Sequence, residues 1–111
     1  KKREQALPET RQENEDDYFL DSLSDFLADD GNDPEIMFRN ELIREEIELT
    51  LSELPPEQRS VFELTEYDGI PYKEIAETTG VPVPTLLSRK HYAIGHLRKR
   101  LQQLYREIVA R

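Results

Sequence analysis

Thr85, Ser88, Arg89, Lys90, His91 and Tyr92 place two hydroxyls, two permanent cations, an imidazole and a phenol within eight positions. On a helix, that set suits a polyanion better than a metal or a nucleophilic reaction. An arginine can pair bidentately with guanine in the major groove, which makes Arg89 the candidate for a base contact. Thr85 and Ser88 near a helix N-terminus could meet phosphate, because unpaired N–H groups there favour anions. Each residue also has a plainer reading: Arg89 touching only phosphate or water, Thr85 as a first-turn residue without a ligand, Tyr92 completing the core.

A helix carrying these side chains must start sharply and be held at a fixed angle. Pro82 and Pro84 are tolerated only at a helix start, so the beginning falls near Val83–Thr85. Just upstream, a short helix is expected over 72–78, with Ile75 and Ala76 facing inward. Gly80, four residues after Ala76, can take the left-handed conformation of a tight turn. Val81 then plugs the elbow and Leu86 faces back to Ala76, the spacing of a helix-turn-helix. The last helix should run to about Val109, with Leu87, Ile94, Leu97, Leu101, Leu104 and Ile108 as a seam for another helix.

Two further helices precede the elbow. Asp33-Pro34-Glu35 supplies a cap, a first-turn proline and an acid, starting a helix over about 35–53. Its stripe is Ile36, Ile43, Ile47, Leu51 and Leu54, and it is the expected partner of the last helix. Pro55-Pro56 ends it. A helix over about 57–67 follows, burying Val61, Phe62 and Leu64, and Asp68-Gly69 closes it. No strand signal appears. The fold expected is all-α: a helix-turn-helix domain of four to five helices without a wing, over residues 34–111.

Residues 1–33 read differently. The chain has 111 residues and a formal net charge of −9, which by itself argues against DNA binding. The charge is divided, however. Residues 1–54 carry a net of −11 and residues 55–111 a net of +2, while residues 85–111 alone carry +6. Such asymmetry suits an acidic linker attached to a polyanion-binding module. Residues 9–35 are rich in acids and broken by Gly31, Asn32 and Pro34, so 9–33 is expected to be largely mobile. The exception is YFLDSLSDFL, residues 18–27, whose apolar residues fall at helical spacing. That segment either packs on the neighbouring domain or folds onto a partner.

Several classes are disfavoured. With no cysteine there is neither a disulfide framework nor a thiolate site, and His91 and His96 at i,i+5 do not share a face. No metal or cofactor is expected. No nucleophile–base pair or phosphate-cradling glycine loop appears, and the acidic run lacks the spacing of a calcium loop, so an enzyme is not expected. No apolar run approaches the roughly 18 residues of a membrane span, and no signal peptide is visible. The expectation is a soluble, cytoplasmic chain without a membrane partner. The absence of an initiator methionine suggests a piece of a longer protein.

Beyond these physical readings, four linked motifs resemble region four of the bacterial sigma factors, particularly the extracytoplasmic-function (ECF) group. They are LSELPPEQR (Leu51 to Arg59, pattern L-x-x-L-P-P-E-Q-R), DGIPYKEIA (Asp68 to Ala76), GVPVPT (Gly80 to Thr85) and LSR (Leu87 to Arg89). The resemblance covers about residues 35–105. It implies a domain that reads the minus-35 promoter element, docks on the β flap of core RNA polymerase and is masked by an anti-sigma protein. It also implies that residues 1–33 are the linker following region two, threading the polymerase's RNA channels, with Lys1-Lys2-Arg3 as the trailing end of region two. Tyr72 and Lys73 match family positions near the DNA backbone.

The chain departs from the family pattern at Pro84, Leu87, Lys90, Tyr92 and Ile94. Glycine is usual at the first, a basic residue at the second, an inward apolar residue at the third and arginines at the last two. The reading face is therefore less basic than usual. That leaves a second reading open: a sigma-like interaction module that captures a regulatory protein without reading DNA.

Overall fold

Prolines and glycines cut the described residues into five helices. The computed structural model describes residues 8–109, with side chains described from 14 to 108. The helices are α1 (Pro8–Ala28), α2 (Pro34–Glu53), α3 (Pro56–Glu66), α4 (Tyr72–Thr79) and α5 (Val83–Val109). No strand occurs among the described residues. The basic start at residues 1–3 lies outside them.

Local chemistry explains the boundaries. The Asp33 carboxylate accepts from Glu35 N at 2.9 Å, and Pro34 stands where a missing N–H costs nothing. Pro55-Pro56 forces Leu54 into extended geometry and stops α2. Gly69 at φ +68° turns the chain after α3. Gly80 at φ +81° ends α4, its N–H donating to Ala76 O at 2.8 Å.

Two apolar clusters hold the helices together. In the larger, Leu51, Leu54 and Phe62 meet Ala93, Ile94 and Leu97, with Phe19, Leu20 and Ile47 packed against them. Burying each large aliphatic side chain contributes roughly 1.5–3 kcal/mol. The smaller cluster is the elbow itself, where Val61, Ile75 and Leu86 are buried and Leu64, Ala76 and Val81 complete the packing. The expected contact between α5 and α2 is present, and Arg100 fastens it. Its guanidinium donates to Glu46 Oε2 at 2.9 Å and to Glu53 Oε1 at 2.6 Å.

The acidic segment departs from expectation. Where mobility was expected over 9–33 outside 18–27, α1 is one continuous helix from Pro8 to Ala28. Phe19, Leu20, Leu23 and Leu27 are sheltered, while Asp16 is buried at 6% exposure. At the other end, Leu27 O accepts from Asn40 Nδ2 at 3.3 Å and Arg44 Nη2 at 3.0 Å, so α2 caps one of the last carbonyls of α1. Composition indicates too little apolar area for self-sufficient order, and it is blind to cations supplied by α5 and α2. Those cations and the apolar stripe together compensate for ordering the helix.

Candidate nucleic-acid interface

The elbow fixes how α5 leaves the domain. Ile75 on α4 and Leu86 on α5 are both buried, and the left-handed turn at Gly80 joins them. Leu86 N donates to Pro82 O at 3.1 Å, closing the first turn of α5. Once Leu86, Lys90, Ala93, Ile94 and Leu97 face inward, helical geometry determines where the other residues point. Thr85, Ser88, Arg89 and Tyr92, at i, i+3, i+4 and i+7, form a stripe outside that core. Ser88 and Tyr92 are exposed, and Thr85 and Arg89 are half-buried. This stripe can present hydroxyls, a guanidinium and a phenol to a groove.

The structure separates the other expected site residues from that stripe. Lys90, expected among the DNA contacts, is turned inward at 5% exposure. Its ammonium lies 2.5 Å from Glu66 Oε2 and 5.6 Å from the centroid of the Tyr72 ring. A buried ammonium needs such a partner, and with α3 supplying it Lys90 is not presented beside Arg89.

His91 lies about 200° around the helix from Arg89, on the far flank. There its Nδ1 sits 2.9 Å from Asp16 Oδ2 of α1. Arg98, two turns further on, lies 3.8 Å from Asp16 Oδ1, with its guanidinium 4.7 Å from the Phe19 ring centroid. Lys73 is exposed on the first turn of α4, and Tyr72 is half-buried beside Lys90. Of the basic run Arg98–Arg100, Arg98 packs on α1, Arg100 bridges to α2, and Lys99 is exposed.

Asp16 and Glu66 were not among the residues that the sequence singled out. Asp16 reaches His91 across 75 positions and Glu66 reaches Lys90 across 24, so neither pairing leaves a local pattern. Asp17, next to Asp16, has its pKa raised, chiefly by burial, with nearby Lys90 opposing the shift and Glu66 adding to it. Among the described residues no group of His, Asp and Glu is arranged to hold a metal ion, and no helix is long and apolar enough to cross a membrane.

Residues 44–97 match the family described as sigma-70, region 4. Over 71 residues, 64% of this chain, the sequence is 35% identical to the ECF RNA polymerase sigma factor SigE of Mycolicibacterium smegmatis, of which the match covers 27%. Over 70 residues, 60% of this chain, it is 37% identical to the RNA polymerase sigma-H factor of Pseudomonas aeruginosa, of which the match covers 36%. The chain thus spans about a quarter to a third of these relatives. The resemblance to ECF sigma region four and the all-α helix-turn-helix fold are both upheld.

Proposed function

We propose, from the match of residues 44–97 to sigma-70 region 4, that this chain is the promoter-reading part of a sigma factor. It directs RNA polymerase to promoters by placing α5 at the minus-35 element. The observation that carries the reading is the outward stripe Thr85, Ser88, Arg89 and Tyr92, held at a defined angle by the Gly80 elbow. Arg89 is the base reader, paired with guanine in the major groove. Thr85, Ser88 and Tyr72 meet the backbone, and Lys73 attracts it. The β flap of core polymerase is the protein partner, an anti-sigma protein the regulator, and the cytoplasm the compartment. Residues 1–33 are the linker following region two. The role is non-catalytic.

A second reading is favoured by one observation. Lys90, Arg98 and Arg100 are all engaged inside the molecule, leaving Arg89 as the chief cation on the outward stripe of the reading turns. A face so thin in positive charge suits a module that binds a regulatory protein.

The deciding experiment uses the full-length factor with core polymerase. Arg89→Ala should weaken promoter-specific binding and transcription by about 10- to 100-fold, the worth of a bidentate base contact. Transcription at the unmodified level from the cognate promoter would remove Arg89 as the reader and leave the interaction module as the better account.

A further inference from the structure

The acidic helix α1 packs lengthwise on the basic helix α5. From Pro8 to Ala28 it holds seven acids against one arginine, and α5 holds six permanent cations against one acid. The pairings also fix the direction. Asp16 meets His91 and Arg98, Phe19 meets Arg98, and Leu23 and Phe26 line a groove with Leu101, Leu104, Tyr105 and Ile108. Rising numbers on α1 thus meet rising numbers on α5, so the two helices run the same way. The turns of α1 before Asp16 therefore extend toward the start of α5, where the reading stripe lies.

The anchor of this contact is imperfect. Asp16 is buried, and its Oδ1 has no hydrogen-bond partner; Arg98 Nη2 at 3.8 Å lies beyond hydrogen-bonding reach. A buried carboxylate with one oxygen unsatisfied is costly, so the docked state, held by apolar packing and the one Asp16–His91 hydrogen bond, can be displaced. A phosphate backbone offers Arg98 a better-solvated partner.

We propose that α1 is an intramolecular mask: docked, it occupies His91 and Arg98 and sets the buried Asp16 carboxylate against the basic helix, and DNA must displace it to bind with full affinity. This inference rests on the DNA-reading function proposed above. The observed affinity is then the intrinsic affinity multiplied by the fraction of molecules with α1 undocked.

The test measures binding of the whole chain to a short mixed-sequence DNA duplex at low ionic strength. Asp16→Lys sets a cation against His91 and Arg98. Asp21→Lys makes the same charge change at an exposed position of α1. Phe19→Ala loosens the helix with no charge change. Asp16→Lys should bind at least about fivefold tighter than Asp21→Lys, and Phe19→Ala should tighten binding relative to the unmodified chain. The salt dependence of Phe19→Ala should also steepen by about one phosphate contact as Arg98 is released. If Asp16→Lys and Asp21→Lys bind alike and Phe19→Ala changes nothing, the mask is overturned while DNA reading stands. If neither the unmodified chain nor any variant binds duplex, the DNA-reading function falls and the mask falls with it.

Discussion

Lys90 Nζ lies 2.5 Å from Glu66 Oε2, tying the second turn of the reading helix to the last turn of α3 through a lysine that is 5% exposed. Glu66 keeps about a third of its side chain in water, so the pair is asymmetric: a buried cation and a partly solvated acid. Removing the cation opens a cavity and strands the acid. Lys90→Ala should destabilise the domain by about 2–4 kcal/mol in denaturant unfolding. Replacing both members by uncharged residues of similar volume, Lys90→Met with Glu66→Gln, should recover most of that loss. If Lys90→Ala unfolds like the unmodified chain, the buried pair is not an anchor of α5.

The contrast between this pair and the elbow explains what was legible in the sequence. Gly80, Val81, Pro82 and Leu86 are close in the chain, and their roles depend on local backbone geometry, so spacing alone revealed the turn. The boundaries of α2 to α5 followed for the same reason, because prolines and caps act on their nearest neighbours. Lys90 and His91 differ. Their direction on the helix could be counted from Leu86, but their partners sit on α3 and α1, and nothing in the intervening residues announces them. A basic run near a helix start therefore looked like a continuous reading face. Folding splits it into an outward stripe, one internal ion pair through Lys90 and one histidine–carboxylate contact through His91. The order of α1 was hidden similarly, since its stability is shared with a helix more than fifty residues away.

Gly80 offers a clean measurement of backbone strain. A Cβ built on it meets nothing within 4 Å, so any cost of substitution arises from the left-handed φ of +81° and not from a clash. A left-handed residue with a side chain costs about 1–2 kcal/mol, more when it is β-branched. Gly80→Ala should lower stability by about 1 kcal/mol, Gly80→Val by more, and Gly80→Asn least of the three, read by thermal melting. The same series should lower DNA affinity in the same order, because the turn sets the angle of α5. Equal melting temperatures across the series would mean that the turn readily relaxes out of the left-handed region.

Asp17 gives the last test, on the stability of docked α1. Its carboxyl is held above the usual 3.8, first by burial, and Lys90 only partly offsets the shift. A carboxyl with a higher pKa in the folded state than in the unfolded chain stabilises the fold below the unfolded value. That contribution is lost as pH rises through the folded value. At neutral pH the ionised Asp17 is therefore a small liability, small because the group keeps most of its solvent. Asp17→Asn should stabilise the protein slightly at neutral pH, by under about 0.5 kcal/mol, and the gain should fade as pH falls toward 3.8. Hydrogen exchange of the α1 amides should report it as increased protection at neutral pH. Decreased protection would mean that attraction to Lys90 outweighs the cost of burial and that Asp17 helps to hold α1 in place.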